Sequence, residues 1–556
     1  MLKVLQLLIL VFLVSPGAAF SKPAVLLFSD LVAAPNTGWD SNSPNRGAVV
    51  TVWGTAFGNK RGTSFITVNG QRLSSDSDYW GTWGETGKPI PYLQRIVFQL
   101  NSTIPEGAGG ITLTINGQQS NTLDFNVNNG RIFFTDANHG AVGDGSIGNP
   151  WNKPNMFLAD VKPGDILYFR GGVYSEKYTG GKSTIWIRNI KTPGTSAAPI
   201  VFTGFPGETA VIDSLSSGSS SYKSGIKIES SYYTVANLKF TSYSNGIQGG
   251  DYTRIVGNDV QGGATIVDGT GIIVLTRNGG KVLGNSVHGG RSANRLDHGI
   301  YISGCAPIEG NEVGWNHVYD NSFDRGPMIV VNHQGTRCPS DVHVKSHYIH
   351  NNFVDCSNFA SRGIGIYDLS WDGAPENEPE PTYVYGNIVY QCGISGTPSD
   401  HPSVYQNAAS GRWYNNSIIE SRTRAVSIGG DRFLSAEFKN NILTQSNSDD
   451  NYLNENPLIK ASNNIFFGGK NPPSFATNSL YSDPKVTIDT ANWKFTLDLY
   501  SPAIDSGTEG LAFNLYDIIG SNRPVNHLID IGALEYMSPP LPPSGLSITP
   551  KHNNIE

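Results

Sequence analysis

Histidine and arginine are concentrated in the central part of this 556-residue sequence. Eight of the eleven histidines lie between His288 and His401, and the interval from 291 to 432 carries nine arginines but one lysine, Lys345. Histidine transfers protons near neutral pH, and arginine binds carboxylate or sulfate groups through paired hydrogen bonds. This combination indicates proton-transfer chemistry on an anionic sugar.

The first mechanism that fits these residues is β-elimination of a uronate. A cation neutralises the C6 carboxylate, a base removes the C5 proton, and an acid protonates the leaving oxygen. Two arginines are candidates for the cation, two histidines for the base and two tyrosines for the acid. In that order, the predicted catalytic residues are Arg325 and Arg362, His298 and His333, and Tyr301 and Tyr367.

Two alternatives stay open. Glycoside hydrolysis needs two carboxyl groups that flank the bond, and Asp297, Asp324, Asp368, Asp372 and Asp400 offer several pairs. A glycan-binding protein or adhesin would use the same surface without catalysis, because a fold alone does not establish a reaction. The predicted substrate-binding residues are Asp297, Asp324, Asp368, Trp371, Asp372, His401 and Arg424.

A recurring asparagine predicts the framework that carries these side chains. Repeats of this length are typical of solenoids, in which each coil buries its apolar residues against the next coil. We expect the asparagines to lie at turns, to adopt the left-handed conformation, and to hydrogen-bond from coil to coil. The repeats carry Asn258, Asn285, Asn316, Asn351-Asn352, Asn387, Asn415-Asn416 and Asn440-Asn441.

A second repeat places a turn before a strand rich in Gly and Ile, as in Asp297-His298-Gly299-Ile300. Side chains alternate inward and outward along a strand, and stacked coils lie roughly 5 Å apart. The repeat therefore predicts one contiguous polar strip along the solenoid. Its residues are His298, Arg325, Arg362, His401 and Arg424.

The N-terminus has the order of a signal peptide, with Lys3, a largely apolar run from Val4 to Val14, and small residues up to Ala19. We expect residues 1–21 to be removed and the protein to be secreted, to the extracellular space or the periplasm. No later run approaches the roughly 20 apolar residues of a membrane helix. The net charge of −7 argues against nucleic acid as a partner.

The four cysteines all lie in the central stretch, and an exported protein can oxidise them. Of the three pairings, the preferred one is Cys305–Cys338 with Cys356–Cys392. Metal ligation is the weaker alternative because no CxxC spacing occurs.

Residues 23–128 alternate apolar and polar residues, as antiparallel β-sandwiches do. The run GTAFGNKRGTSFITVNG, from Gly54 to Gly70, and the later segment ITLTINGQQSN resemble Ig-like IPT/TIG modules. The resemblance implies a spacer or a carbohydrate-binding appendage, in which Trp80 and Trp83 would stack on sugar rings.

The stretch IFFTDANHGAVGDGSIGNPW, followed by VKPGDILYFRGGVYSE and APIVFTGFPGETAVID, resembles the entry coils of secreted, pectate-lyase-like right-handed parallel β-helix proteins. This resemblance implies an all-β catalytic domain over residues 131–537, closed by a C-terminal cap, and a flexible tail over 538–556. It leaves calcium open as a cofactor. Lys345-Ser346 is similar to the Lys-Ser element of alginate and chondroitin lyases, in which the lysine is the base, although the spacing to the next Asn differs. The sequence is interpreted as a secreted polysaccharide lyase, with a hydrolase or a glycan-binding protein as alternatives.

Overall fold

The computed structural model describes most of the chain, and the statements below refer to that part. The described residues are 22–87, 89–175, 183–188, 192–213, 224–243, 245–263, 271–292, 297–303, 306–323, 326–333, 343–369, 378–395, 401–446, 452–453, 456–470, 473–509, 512–525 and 528–536. Nearly all regular structure is β, with short 3-10 helices at Asp76–Asp78 and Pro154–Ala159. Within these ranges no helix has the length and hydrophobicity to cross a membrane.

Two sheets form a β-sandwich at the N-terminal end, and their inner faces share one apolar core. The first sheet is antiparallel and has the order Val25–Ser29, Arg46–Thr55, Gln94–Asn101, Tyr79–Thr86. The second has the order Ala33–Pro35, Leu123–Asn128, Gly107–Ile115, Phe65–Val68, Gln71–Arg72, with Gln118–Gln119 beside Gly107–Ile115. The likeness of this module to IPT/TIG domains stays a prediction.

A right-handed parallel β-helix, as the sequence predicts, follows the sandwich. The chain runs through three stacks of parallel strands in turn, named faces A, B and C here; parallel crossovers of this kind are right-handed. Face A contains Ser183–Ile187, Ser224–Ile228, Asn245–Gly249, Gly271–Leu275, His298–Ser303, Pro327–His333, Arg362–Leu369 and the first parts of Val404–Tyr414 and Val426–Lys439.

Faces B and C complete the coils. Face B contains Ile132–Thr135, Ile166–Phe169, Ile200–Gly204, Tyr233–Ala236, Arg254–Val256, Lys281–Leu283, Glu312–Gly314, Tyr348–His350, Thr382–Tyr385, the last parts of Val404–Tyr414 and Val426–Lys439, Ile459–Ser462 and Ala476–Thr477. Face C contains Gly172–Tyr174, Ala210–Asp213, Lys239–Tyr243, Asp259–Gly262, Ser286–His288, His317–Tyr319, Phe353–Asp355, Ile388–Tyr390, Ser417–Ser421, Ile442–Gln445, Ile465–Phe467 and Leu480–Tyr481. Two short pairs lie outside these faces, Arg291–Ser292 with Ser322–Phe323 and Val486–Asp489 with Lys494–Leu497.

Columns of isoleucine hold the coils together. On face A, seven isoleucines pair in register on successive coils, and all are fully buried. A single coil cannot bury these side chains, so each coil covers the apolar residues of its neighbour. The column consists of Ile185, Ile226, Ile247, Ile273, Ile300, Ile329 and Ile364.

Buried asparagines form a ladder at the turn between faces B and C, which confirms the predicted hydrogen bonding from coil to coil. In each step one Nδ2 group donates to the Oδ1 atom of the next asparagine at 2.9–3.0 Å. The ladder takes one asparagine from each of the seven predicted repeats and extends to Asn464; at the double-asparagine repeats the members are Asn352, Asn416 and Asn441. The left-handed residue precedes each ladder asparagine. It is itself an asparagine of the repeat at Asn351, Asn415 and Asn440, as predicted, whereas Gly257 and Trp315 hold this position in other repeats.

The sandwich lies along the turns of the ladder. Phe28 and Trp53 stack with centroids 5.2 Å apart, and Phe28 also contacts Trp315 at 5.6 Å. A Cβ at Gly257 would lie 2.9 Å from Trp53, so this position needs glycine for close approach as well as for its positive φ. Asn237 Nδ2 donates to Asp30 of the sandwich at 2.7 Å. The module therefore packs against several coils instead of projecting as a separate spacer.

The two tryptophans proposed to stack on sugars have different surroundings. Trp83 is buried, and its Nε1 donates to the Phe57 carbonyl at 3.0 Å, so it serves the sandwich core. Trp80 is half-buried and contacts Trp39 and, from the helix, Phe205, each at 5.7 Å between ring centroids.

The C-terminal segment covers the outer side of face C and does more than close the end of the helix. Phe495, Ile531 and Leu534 belong to one apolar cluster with Ile388 and Ile442 of face C. The segment is closed internally by Arg523 and Glu535, a fully buried ion pair at 2.9 Å.

The Cys356–Cys392 disulfide, predicted from the sequence, joins adjacent coils next to face C, where the Cys356 N–H donates to the Tyr390 carbonyl. Both cysteines are buried in the helix core. Cys305 and Cys338 lie outside the described residues, so their pairing stays a prediction.

Replacing both Cys356 and Cys392 by alanine is expected to lower the free energy of unfolding by about 2–4 kcal/mol, because the bridge restricts a loop with a sequence separation of 36 residues in the unfolded chain. Urea unfolding of the variant and of reduced wild type should give similar values. An unfolding free energy equal to that of oxidised wild type would contradict the expectation.

Candidate active site

Strand pairing decides which side chains are neighbours on the outer side of face A. Ile300 pairs with Ile329, which places His298 beside Pro327, and Pro327 pairs with Arg362. The same register continues through Pro402 to Arg424. This row contains three of the five residues of the predicted strip, namely His298, Arg362 and Arg424.

On the two neighbouring coils Pro327 and Pro402 hold the row positions, so His401 lies one residue before the row, which corrects the predicted strip. Arg325 lies outside the described residues, and its place in the strip stays a prediction. Aligning Gly299 with Gly326 makes His298 and Arg325 look equivalent in the sequence and would pair Ile300 with Pro327. In the structure Ile300 pairs instead with Ile329, two residues later. Likewise Pro402, not His401, is in register with Arg362. Packing of the buried isoleucines sets the register of neighbouring face A strands, and the polar residues before the glycines do not.

Face A strands bend near their start, which interrupts the simple alternation predicted from the sequence. Ile272 and Ile273 are consecutive, yet both lie in the core. As a result His298 and Tyr301, three residues apart on the next coil, stack with ring centroids 5.1 Å apart.

Arg362 is the centre of a polar cluster on face A. Its Nη1 donates to Tyr367 Oη at 3.1 Å, and its Nη2 donates to His401 Nδ1. The guanidinium lies 4.8 Å from the centroid of the Tyr405 ring, and the Tyr405 and Tyr367 rings are 4.5 Å apart. Arg362 and Tyr367 are half-buried, whereas His401 and Tyr405 are buried. The cluster thus exposes a guanidinium and a phenol that rest on a buried histidine and tyrosine.

Tyr405 was not among the predicted site residues. It follows Pro402-Ser403-Val404, so it lies three residues after Pro402, which is in register with Arg362, and directly beside Gly365. Gly365 on the neighbouring strand makes room for it, because a Cβ there would lie 2.6 Å from the Tyr405 ring.

His298 has a different environment from the one that a general base needs. It is buried, its Nδ1 lies 3.2 Å from the Pro327 carbonyl, and burial lowers its pKa to about 3. A base with such a pKa is weak at neutral pH. Tyr301 is buried in a small apolar cluster with Val274 and Val330. Burial of both side chains does not favour the predicted catalytic roles, which stay predictions.

Asp297 is fully buried and so does not reach a polymer on the outer surface. Several other predicted site residues lie outside the described residues, and their roles stay predictions. They are Asp324, Arg325, Trp371, Asp372 and Asp400, together with the side chains of His333 and Asp368.

The histidines that cluster in the sequence are distributed over different faces of the helix. His317 on face C stacks on Tyr319 with centroids 4.0 Å apart. His350 on face B lies 3.2 Å from Glu312, and His288 on face C lies 2.7 Å from Asp259. Their concentration in the sequence therefore does not define one working face.

Acid sensitivity is expected from His317. Burial lowers its pKa from 6.5 to about 3, so the unfolded chain binds the proton more readily between these values. The contribution of His317 to the free energy of unfolding is fully present above pH 6.5. It falls by about 1.4 kcal/mol per pH unit as the pH drops from 6.5 towards 3. His317→Phe should flatten the pH dependence of urea unfolding measured between about pH 7.5 and 5.5. His343→Phe is the control, because the His343 side chain is 43% exposed; equal slopes in all three proteins would refute the assignment.

Lys345 lies just before a face B strand, and its Nζ is 2.7 Å from Glu380 Oε1. The same carboxylate accepts hydrogen bonds from Ser346 N at 3.1 Å and Ser346 Oγ at 3.2 Å. This geometry gives the Lys-Ser element a structural role in a turn.

Across the described ranges, no group of three or more His, Cys, Asp or Glu side chains is arranged to hold a metal, so no ligand set for calcium can be assigned there.

The fold and site define a parallel β-helix with an arginine-centred cluster on one face. No protein-family model matches the chain, and no curated protein matches its sequence. Among solved structures, the pectate lyase Pel9A is 17% identical with a TM-score of 0.45, over 74% of this chain and 97% of that one. The complex of XylC with xylose is 11% identical with a TM-score of 0.43, over 73% and 99%. The PL6 family alginate lyase AlyGC is 12% identical with a TM-score of 0.32, over 62% and 54%. At these values the likenesses do not identify a reaction.

Proposed function

We propose that the protein cleaves an anionic polysaccharide bound along the outer side of face A, with Arg362 and Tyr367 as the reactive pair. The observation that carries this proposal is the Arg362 cluster, in which a half-buried guanidinium and phenol lie 3.1 Å apart. Arg424 occupies the same row two coils away, roughly 10 Å along the helix axis. Two guanidinium groups at such a separation suit the repeated negative charges of a polyanion.

The proposed reaction is β-elimination. Arg362 pairs with the C6 carboxylate of a uronate and stabilises the negative charge that develops when the C5 proton leaves. The reaction uses Tyr367 in its phenolate form, which accepts that proton; the C5–H electrons form the C4=C5 double bond, and the C4–O bond breaks. Tyr367 then returns the proton to the leaving oxygen. His401 and Tyr405 position Arg362 from the buried side.

A lyase is preferred to a hydrolase for one structural reason. The described cluster pairs a cation with a phenol that can transfer a proton, as β-elimination requires, whereas of the five aspartates considered for hydrolysis the one with a described side chain, Asp297, is fully buried. Export of the protein is part of the proposal, and the Cys356–Cys392 disulfide supports it because such bridges persist in oxidising compartments.

A panel of polygalacturonate, alginate and glycosaminoglycans tests the reaction. We expect one of them to yield ultraviolet absorbance from the unsaturated uronate product together with new reducing ends. New reducing ends without that absorbance would indicate a hydrolase, and binding without either signal would indicate a glycan-binding protein. Both outcomes would overturn the lyase assignment.

A further inference from the structure

A cavity of about 370 Å³ lies where the sandwich meets the β-helix. Trp80, Pro89 and Arg95 line it from the sandwich, and Phe205 and Lys239 line it from the helix. Small-molecule sites are commonly about 300–1,000 Å³ in volume and often lie between domains. The size and place of this cavity therefore fit a ligand site separate from face A.

Aromatic rings form one wall of the cavity. Trp80 and Phe205 meet edge to face, with an interplanar angle of 86°, and Trp39 supports Trp80 from within the sandwich. Trp80 nevertheless stays half-buried, although large apolar side chains are usually covered at a packed junction. A rigid, partly open indole is a suitable surface for the apolar side of a sugar ring.

The floor of the cavity supplies a buried acceptor. The Asp30 carboxylate is 2% exposed and accepts hydrogen bonds from Thr51 N at 2.8 Å, Leu31 N at 2.7 Å and Asn237 Nδ2 at 2.7 Å. This carboxylate is fixed by both units of the chain, and it carries the hydrogen-bonding character that sugar hydroxyls need.

The charged groups at the rim compensate one another. The two cations that line the cavity, Arg95 and Lys239, each lie within 4 Å of a carboxylate, and the lining carboxylate Glu208 is paired with Arg170, so the rim presents no isolated cation to hold an anion. The pairs are Lys239–Asp259 at 3.6 Å, Arg95–Glu85 at 3.9 Å and Arg170–Glu208 at 2.7 Å. An anionic sugar would also approach the buried Asp30 carboxyl unfavourably, whereas a neutral sugar would not.

We propose that this junction cavity binds a neutral pyranose, as a free mono- or disaccharide or as the end of a glycan. Trp80 covers the apolar side of the ring, and Asp30 and the rim ion pairs bond to its hydroxyl groups. The site belongs to the sandwich and the helix together, and it does not depend on the reaction proposed for face A.

Calorimetric titration of the full chain with glucose, galactose, mannose, xylose, cellobiose and xylobiose tests the site, with galacturonate as the charged comparison. We expect at least one neutral saccharide to bind, Trp80→Ala to weaken its binding about tenfold, and Trp80→Phe to retain most of it. Lys239→Met, at the half-buried rim, should also weaken binding and is less prone to disturb folding. The control is Tyr500→Ala, because Tyr500 is an aromatic residue 76% exposed on the C-terminal segment.

Three results would overturn the proposal. The first is the absence of binding by every neutral saccharide up to its solubility. The second is binding that Trp80→Ala and Lys239→Met leave unchanged. The third is binding of galacturonate alone.

Discussion

Replacement of Arg362 by methionine is expected to lower kcat/KM on the active polysaccharide by a factor of about 10² to 10⁴. The variant keeps an apolar stem above Tyr405 but loses the guanidinium that contacts Tyr367 and His401. Both the substrate carboxylate and the developing charge would then lack their counterion. Initial rates from the unsaturated product, measured over a range of polymer concentrations, give the value.

Two further variants separate chemistry from structure. Tyr367→Phe should lower kcat with little change in KM, because it removes the proton-transferring oxygen and keeps the ring beside Tyr405. Arg412→Met is the matched control, since Arg412 lies on the face B part of its strand with Glu437 at 3.6 Å. If Arg362→Met keeps the wild-type rates and the wild-type melting temperature, the Arg362 cluster on face A is excluded as the reactive centre.

The largest loss of stability is expected from Asn352→Ala. Asn352 Nδ2 donates to the Val313 carbonyl and to Asn387 Oδ1, both at 2.9 Å, while its Oδ1 accepts from Asn316 N and Nδ2 at 3.0 and 2.9 Å. All of these groups are away from solvent, and each buried polar group left without a partner costs about 1–3 kcal/mol. We expect the free energy of unfolding to fall by about 3–5 kcal/mol in urea titrations.

Asn492→Ala is the control for that experiment. Its Nδ2 donates to Asp489 at 2.9 Å on the exposed surface, so the change should stay within about 0.5 kcal/mol. A similar effect for both variants would show that the ladder contributes no more than a surface hydrogen bond.

The ladder could be predicted from sequence because residue type and interval both carry its signal. A side-chain amide can donate to the amide on the next coil while it accepts from the amide on the previous coil. One asparagine in each coil at a similar spacing therefore leaves few arrangements other than a ladder. The conformation of the turn was harder to assign. Gly257, Trp315 and Asn351 all adopt positive φ, and three different residue types give no shared motif.

The candidate site was only partly predictable, because strand register depends on the core. Local motifs made His298 and Arg325 look equivalent, yet the buried isoleucines place Pro327 beside His298. The sequence also gives no measure of burial, and burial is what separates Arg362 from His298 as a working group. The sequence does not predict Tyr405 as a site residue because its contact with Arg362 forms between adjacent coils and depends on their register.

The packing of the chain's end regions along the sides of the helix has a mechanical consequence. The sandwich touches turns at Asn237, Gly257 and Trp315, and the C-terminal segment covers later coils. Tyr92 of the sandwich and Phe495 of that segment meet with ring centroids 5.5 Å apart. Solenoids bound only by nearest neighbours can unravel from either end. Here the sandwich and the C-terminal segment both pack along the side of the helix and contact each other through these two rings. A terminal coil can separate from the helix only after this contact opens.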